Sequence, residues 1–162
     1  MSNNRINAAI VGASGYSGEE LVRLLLGHPH VNLSVLTSRQ YAGQPLASVF
    51  PRFGGHADAS DLVFSEPSIE LLADKAKAVF LALPHGVAAE FAVPLVQRGV
   101  TVIDLSADFR INDADTYNEF YGAKHPAPEW LPKAVYGLPE IKRDAIANAT
   151  LIASPGCYST SI

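Results

Sequence analysis

Cysteine is nearly missing from this sequence: Cys157 is the only one among 162 residues. A single thiol cannot form an internal disulfide, and no cluster of cysteine and histidine has the spacing of a zinc site. A disulfide-stapled fold and a zinc module are therefore excluded, and we expect no metal. A lone thiol also fits a reducing compartment, so we expect a cytoplasmic protein.

Charge and long apolar runs are scarce as well. Charged residues make up 17% of the sequence, the net charge is −4, and no run of basic residues occurs, so we expect no nucleic-acid partner. No apolar stretch reaches about eighteen residues, the length of a membrane-spanning helix. The first residues lack a signal-peptide pattern, and we therefore expect no membrane partner either.

Hydrophobic residues, in contrast, make up 48% of the sequence and occur in short runs separated by helical patterns. Strands separated by helices favour right-handed βαβ units. The sequence thus predicts an α/β fold: a Rossmann-like, doubly wound, mainly parallel sheet with helices on both faces. Strands are predicted at residues 6–11, 31–37, 62–64, 78–83, 100–105 and 151–153, and helices at 18–26, 68–73 and 87–98, with a short one near 46–50.

Two parts of this pattern carry more specific expectations. In the helix 18–26, Leu21, Leu24 and Leu25 are predicted to form the buried face. Residues 109–140 are rich in proline and aromatic side chains and break the alternation of strands and helices. We predict a long ordered loop there, and such loops are usually functional.

The stretch VGASGYSGEEL spaces three glycines across a predicted strand-to-helix turn. Gly12 would permit the tight turn, Gly15 would let the backbone approach a pyrophosphate, and Gly18 would let the helix pack closely on the sheet. The helix start would offer free N–H groups to the phosphates. A dinucleotide site is therefore predicted, the alternative being a glycine-rich turn without a ligand.

Charge indicates which dinucleotide binds. An NAD site normally has an acidic residue about 20 residues after the glycines, where it holds the ribose 2′-hydroxyl. Here that place contains Ser38 and Arg39, and no acidic residue occurs between Glu20 and Asp58. Hydroxyl and guanidinium donors suit a 2′-phosphate, so NADP(H) is the predicted cofactor. The alternative is that Arg39 is a solvated surface residue.

Cys157 follows a predicted strand and a Pro-Gly pair, and the residues after it suit the first turn of a helix. A helix N-terminus stabilises a thiolate. A thiolate next to a nicotinamide site suggests attack on an activated acyl group, followed by hydride transfer to the thioester. The alternative is an inert, buried sulfur.

Six segments occur along the chain in the order GASGYSG, TSR, LALPHG, DLSADFR, YGLPE and SPGCYST. Together they resemble N-acetyl-γ-glutamyl-phosphate reductases of the semialdehyde-dehydrogenase superfamily, and the resemblance covers residues 6–160. Each motif alone is weak, whereas six in this order are specific. The resemblance implies NADPH-dependent reduction of N-acetyl-γ-glutamyl phosphate to the semialdehyde, a step of arginine biosynthesis.

The resemblance also implies roles for individual residues. Cys157 is the nucleophile that displaces phosphate, Ser38 and Arg39 hold the 2′-phosphate, and Arg110 and Ser154 bind substrate, with Arg110 on its anionic part. The implied cofactor-binding residues are Gly12, Ala13, Ser14, Gly15, Tyr16, Ser17, Gly18, Ser38, Arg39, Leu83, Pro84, His85 and Gly86.

Members of this family commonly have asparagine where Ser154 stands and proline where Ser159 stands. They continue through a second α+β domain that carries the catalytic histidine and most subunit contacts. We therefore expect residues 1–153 to form the NADP-binding domain and residues 154–162 to begin a catalytic domain. The chain alone is expected to be inactive, and the complete enzyme to be a homo-oligomer that acts on a small acyl phosphate.

Other residues and functions remain as alternatives. No histidine of this chain is predicted to be the catalytic base, and Asp104, Asp108 and Glu140 are interpreted as loop-capping or solvated carboxylates. Reductases of a carrier-bound aminoadipyl or glutamyl phosphate, or of aspartyl phosphate, share the superfamily. A non-catalytic NADP-binding sensor is the alternative of another class, although the Tyr-x-x-x-Lys pair of short-chain dehydrogenases is absent. A third alternative is a truncated product that binds the cofactor and has no other function.

Overall fold

The computed structural model describes residues 5–162. Seven strands form one sheet in the order β3-β2-β1-β4-β5-β7-β6. The pairs β3–β2, β2–β1, β1–β4, β5–β7 and β7–β6 all run parallel, which confirms the predicted fold class. The strands are β1 (Ile6–Val11), β2 (Val31–Thr37), β3 (Phe64–Ser65), β4 (Ala78–Leu81), β5 (Thr101–Asp104), β6 (Val135–Tyr136) and β7 (Leu151–Ala153).

Helices alternate with these strands along the chain. None of those within residues 5–162 is long and apolar enough to cross a membrane. The α-helices are α1 (Tyr16–Leu26), α2 (Leu46–Val49), α3 (Ile69–Lys75), α4 (Ala88–Gln97), α5 (Ala114–Tyr121), α6 (Pro139–Ala147) and α7 (Cys157–Ser161), and 3₁₀ turns occur at Pro51–Phe53, Ala57–Ala59 and Pro128–Lys133.

The chain divides into two compact units, the first ending at Ala82 and the second running from Leu83 to Ile162. In the first unit, β1 is flanked by β2 and β4, and its last four residues are at most 1% exposed. Apolar side chains on both faces suit a central parallel strand. The predicted bounds of β1 and β2 are confirmed.

The β1–β2 ladder contains one irregularity. Ile6 pairs with Val31, whereas Val11 pairs with Thr37, so β2 has one residue more than β1 over this span. The register shifts between Ala8 and Ala9, where Ser34 is the extra residue. The Ser34 hydroxyl lies 3.1 Å from the carbonyl oxygens of Ala8 and Lys75. The extra residue of this β-bulge therefore has hydrogen-bond partners for its side chain.

Helix α1 corrects the sequence prediction in two respects. It begins at Tyr16 rather than at residue 18, and Leu24, predicted to be buried, is 52% exposed. The buried stripe is Gly18, Val22, Leu25 and Leu26, whose spacing of four, three and one residues follows one face of a helix. The close approach of the helix at Gly18 determines which face turns inward.

In the second unit, β7 pairs with β5 on one side and with β6 on the other. The predicted strand 151–153 is confirmed, and the other strands and helices predicted after residue 60 differ by one to two residues at their ends. Fully buried side chains of this unit include Leu95, Val102, Leu131 and Leu151.

The prediction of a long irregular loop at residues 109–140 was wrong. The segment contains α5, a 3₁₀ turn and β6, and α6 begins at Pro139. The signals for α5 were present: Asp113 accepts a hydrogen bond from the Thr116 N–H at 2.8 Å, and Gly122 ends the helix with a φ of 68°. An Asp N-cap and a glycine in the left-handed region are the usual helix boundaries.

Candidate functional site

The glycine turn follows β1 directly and has the geometry that its sequence predicts. Gly12 has a φ of 80°, a left-handed conformation that favours glycine. The Gly15 N–H donates to the Gly12 carbonyl at 3.1 Å and closes the turn. Gly15 then becomes the N-cap residue of α1.

Gly18 is the most constrained position of the turn. A Cβ atom built there would lie 2.3 Å from the Gly12 carbonyl oxygen and 2.6 Å from the Ala13 Cα. Both neighbours are backbone, so no side chain fits without moving the chain. The predicted role of Gly18, close packing of the helix against the strand end, is confirmed by this geometry.

The start of α1 presents its main chain outward. No side chain caps this end within the described residues, and the first intrahelical bond runs from the Glu19 N–H to the Gly15 carbonyl at 2.8 Å. The N–H groups before Glu19 are the donors that an α-helix leaves unpaired. Tyr16 and Ser17 are exposed, Tyr16 at 97%, so an anion can reach their N–H groups.

The end of β2 lies against this turn. The Ala13 N–H donates to the Thr37 carbonyl at 3.0 Å, and the hydroxyl oxygens of Ser14 and Ser38 are 2.8 Å apart. Ser38 also accepts from the Tyr41 N–H at 3.3 Å. The structure therefore brings together two of the predicted cofactor residues, Ser14 and Ser38. Within residues 5–162, the buried Thr37 hydroxyl has no hydrogen-bond partner.

The three arginines between Glu20 and Asp58 differ in their partners. Arg23 binds Glu20, and Arg52 binds Glu19 at 3.0 Å. Arg39, which is exposed, makes no side-chain hydrogen bond or ion pair with any described residue. It is the one of the three whose guanidinium is available to a ligand.

These features fit a dinucleotide. The turn offers main-chain N–H groups to a pyrophosphate, and the end of β2 offers hydroxyls and an unpaired guanidinium. The three glycines differ in function: Gly12 and Gly18 are required by the chain itself, whereas a Cβ at Gly15 would make only ordinary contact, 3.6 Å from the Gly12 carbonyl oxygen.

A second group of predicted residues, 83–86, follows β4. Within this turn, Gly86 has a φ of 87°. The Asp108 carboxylate accepts from the Gly86 N–H at 2.7 Å and lies 3.0 Å from His85 Nδ1. Asp108 is fully buried. The interpretation of this residue as a loop-capping carboxylate is thus confirmed, although its partners lie more than 20 residues away and were not predicted.

Asp104, the last residue of β5, is a second buried carboxylate. It accepts from the Ser106 N–H at 2.9 Å and from the Ser106 hydroxyl at 2.8 Å. Burial raises the pKa of Asp104 to about 6, against the hydrogen bonds from Ser106, which lower it. Glu140, by contrast, is exposed.

The predicted substrate residues Arg110 and Ser154 lie in contact. Arg110 donates through Nε to the Ser154 carbonyl at 2.7 Å and through Nη2 to the Leu105 carbonyl at 2.8 Å. The guanidinium therefore holds the segment that leads to the thiol, and Nη1 lies near Gly156. A cleft of about 420 Å³ adjoins this residue, lined by Phe109, Arg110, Asn112, Val135, Tyr136 and Lys142.

Cys157 is exposed and is the first residue of α7, directly after the N-cap Gly156. The predicted position of the thiol at a helix start is confirmed, and the alternative of a buried sulfur is wrong in this respect. The hydroxyls of Ser159 and Thr160 lie 2.9 and 3.0 Å from the Gly156 carbonyl. The Tyr136 hydroxyl donates to Ser159 at 3.1 Å and ties α7 to β6.

Known proteins resemble this chain along its length. The family described as semialdehyde dehydrogenase, NAD binding domain, matches residues 7–149. An N-acetyl-gamma-glutamyl-phosphate reductase from Akkermansia muciniphila is 56% identical over 98% of this chain and 46% of its own length. A [LysW]-L-2-aminoadipate/[LysW]-L-glutamate phosphate reductase from Saccharolobus solfataricus is 48% identical over 98% of this chain and 44% of its own length.

A solved structure has the same fold. Aspartate semialdehyde dehydrogenase II from Vibrio cholerae, complexed with ASA, superposes with a TM-score of 0.69 at 21% identity, over 96% of this chain and 43% of that chain. The chain spans about half the length of the curated relatives it matches.

Proposed function

Because the chain belongs to the semialdehyde dehydrogenase NAD-binding domain family, we propose that it is the cofactor-binding half of an NADPH-dependent N-acetyl-γ-glutamyl-phosphate reductase. The observation that carries the proposal is an exposed thiol at the start of a helix, in a chain whose first turn suits a dinucleotide. The relative of that name, 56% identical, supports this substrate.

In this proposal Cys157 is the nucleophile. Its thiolate attacks the carbonyl carbon of the acyl phosphate, a C–S bond forms, and the C–O bond to phosphate breaks as inorganic phosphate leaves with the electron pair. When bound, NADPH supplies a hydride to the resulting thioester carbon. The C–S bond then breaks, which yields the aldehyde and returns the thiolate. Exposure of Cys157 supports access by a substrate.

We assign the adenosine half of the cofactor to the first unit. The free N–H groups at the start of α1 would bind the pyrophosphate, and Arg39 with Ser38 would bind the 2′-phosphate. The support for NADPH over NADH is the unpaired Arg39 together with the absence of any acid between Glu20 and Asp58. Residues 83–86 would contact the nicotinamide half.

We assign the anionic part of the substrate to the cleft beside Arg110. Nε and one N–H of Nη2 already bind carbonyls, so the two N–H groups of Nη1 and the second of Nη2 would remain for a carboxylate or phosphate. Lys142 adds a second positive charge to the cleft lining. It stands at a kink in α6, with a φ of −128° and a ψ of 20°.

A second candidate activity is reduction of a carrier-bound aminoadipyl or glutamyl phosphate. The 48% identity to the Saccharolobus solfataricus reductase favours it. All of these substrates need the same thiol chemistry. The carrier-bound phosphates differ from N-acetyl-γ-glutamyl phosphate in what is attached to the amino group, and the aminoadipyl chain is also one methylene longer. Comparing kcat/KM for N-acetyl-γ-glutamyl phosphate and for the carrier-bound phosphate in the full-length protein distinguishes the two activities.

The test of the proposal is an NADPH-oxidation assay with N-acetyl-γ-glutamyl phosphate on the full-length protein. Cys157→Ala should abolish reduction and leave NADPH binding nearly unchanged, because the thiol takes part in chemistry alone. Ser161→Ala, in the same short helix, is the matched control and should retain activity. Full activity of Cys157→Ala would return the thiol to a structural role.

We also propose that residues 1–162 alone bind NADPH without turnover. The relatives are about twice as long as the match, and the rest of their length would supply the proton-transfer group that completes the reaction. Measurable turnover of the 162-residue chain would contradict this part of the proposal and leave the assignment of the thiol intact.

A further inference from the structure

One buried carboxylate organises the turn between β4 and α4. The two oxygens of Asp108 accept from the Gly86 N–H at 2.7 Å and from the Ala88 N–H at 3.0 Å, and Oδ1 lies 3.0 Å from His85 Nδ1. Asp108 is fully buried and lies 20 or more residues from these partners in sequence. A single side chain therefore fixes three groups of one short turn.

Asp108 is also the cap of α4. The N-cap residue, Val87, has no side chain that accepts a hydrogen bond, so the first N–H groups of the helix need an acceptor from elsewhere. The carboxylate supplies it and places a negative charge at the positive end of the helix. The turn is thus held in place by a side chain from outside its own sequence.

The same contact determines where His85 carries its proton. A carboxylate oxygen cannot donate, so the 3.0 Å distance favours a proton on Nδ1, and a ring with that single proton has Nε2 as an acceptor. The ring is held by Tyr121, with centroids 4.5 Å apart, and by Tyr117 at 5.9 Å. The His85 side chain is 41% exposed, so a ligand can reach this imidazole.

We propose that Asp108 is a positioning residue for the bound cofactor: it fixes the Nδ1–H tautomer of His85, so that Nε2 accepts a hydrogen bond from a donor group of the nicotinamide half. An amide NH₂ and a ribose hydroxyl both have this donor chemistry. The inference rests on the proposed function, which assigns residues 83–86 to the cofactor. It adds a residue that does not itself contact the cofactor.

Asp104 provides a matched control. It is the last residue of β5, four residues before Asp108, and is equally buried, but its carboxylate binds Ser106 and none of residues 83–88. Replacing either aspartate by asparagine removes one carboxylate and keeps the volume. Only Asp108→Asn should affect His85, because an asparagine amide cannot accept from both N–H groups and the imidazole as the carboxylate does.

The experiment combines two measurements on the full-length protein. Histidine ¹⁵N chemical shifts report the tautomer, and the signals of His85 are assigned by their loss in His85→Gln. We expect wild type and Asp104→Asn to show a protonated Nδ1 and an unprotonated Nε2, and Asp108→Asn to lose this pattern. The Kd for NADPH should rise about tenfold in Asp108→Asn and stay within about twofold in Asp104→Asn.

The outcomes separate this inference from its premise. An unchanged tautomer and an unchanged Kd in Asp108→Asn would overturn the inference. A lower melting temperature with no change in Kd would also overturn it, because that result indicates a purely structural role for Asp108. If Asp108→Asn does not fold, His85→Gln replaces it in the binding measurement. An unchanged Kd for NADPH in His85→Gln would also contradict the inference. Wild-type protein with the expected tautomer but no NADPH binding would instead overturn the proposed function.

Discussion

The two units of the chain use their polar and charged groups in opposite ways. In the first unit, the candidate site is built from main-chain N–H groups, small side chains and one unpaired arginine. In the second unit, the charged groups Asp104, Asp108 and Arg110 are bound by the protein's own main chain. A site of the first kind depends on the path of the backbone, whereas one of the second kind depends on side-chain contacts that hold loops in place.

The largest effect is expected from Gly18→Ala, which tests whether the candidate site of the first unit depends on the path of the backbone. The added methyl group would meet the Gly12 carbonyl oxygen at 2.3 Å, and backbone cannot rotate away as a side chain does. We expect the free energy of unfolding to fall by about 3 kcal/mol or more, together with weaker NADPH binding. Chemical denaturation monitored by circular dichroism measures the first effect, and a fluorescence titration measures the second.

Gly27→Ala is the control for that substitution. Gly27 ends the same helix with a φ of −89°, and a Cβ there would have no neighbour within 4 Å. The free energy of unfolding of Gly27→Ala should differ from that of wild type by less than about 1 kcal/mol. Equal losses in the two variants would show that α1 tolerates no added methyl anywhere, and the close approach at Gly18 would lose its special role.

The second unit is tested by the pH dependence of its buried acid. The pKa of Asp104 is raised from 3.8 to about 6 in the folded state, so the folded chain binds more protons than the unfolded chain between these values. The free energy of unfolding should therefore fall as the pH rises from about 4 to about 6, by up to about 3 kcal/mol from this group. Urea denaturation across this range should show the fall in wild type and a smaller one in Asp104→Asn.

Asp113 has the opposite shift and is the control for that measurement. Hydrogen bonds from Thr116 lower its pKa, so its contribution is present at higher pH and is lost as the pH falls through the acidic range. Asp113→Asn should leave the fall in stability between pH 4 and 6 unchanged. If Asp104→Asn also leaves it unchanged, the buried carboxylate is not its source.

The smallest expected effect concerns the arginine of the first unit. Arg39→Ala should remove most of the preference for NADPH over NADH, about tenfold, because a charge-assisted contact to the 2′-phosphate is lost. Arg23→Ala is the control, since that exposed guanidinium already pairs with Glu20 and should contribute little. Isothermal titration with both cofactors measures the ratio; equal affinities in wild type would contradict the assignment.

The same contrast explains how much was predictable. Strands β1, β2 and β7 and the glycine turn follow from apolar runs and from glycine geometry, which are local properties. The contacts of Asp108 join residues 20 or more positions apart, so no local pattern contains them. Helix α5 was missed for another reason: its Asp113 cap and its terminal Gly122 were visible, but the surrounding prolines and aromatic residues suggested a loop.

The extra residue in β2 has a consequence at a distance. In a regular ladder that starts from the pair Ile6 and Val31, Val11 would face Leu36, and Gly12 would be level with Thr37. With Ser34 inserted, Val11 faces Thr37 instead, and Ser38 becomes level with Gly12. The hydroxyl pair of Ser14 and Ser38 thus depends on an offset introduced mid-strand. An insertion or deletion in the middle of this strand would change the chemistry presented at its end while leaving every residue of the candidate site in place.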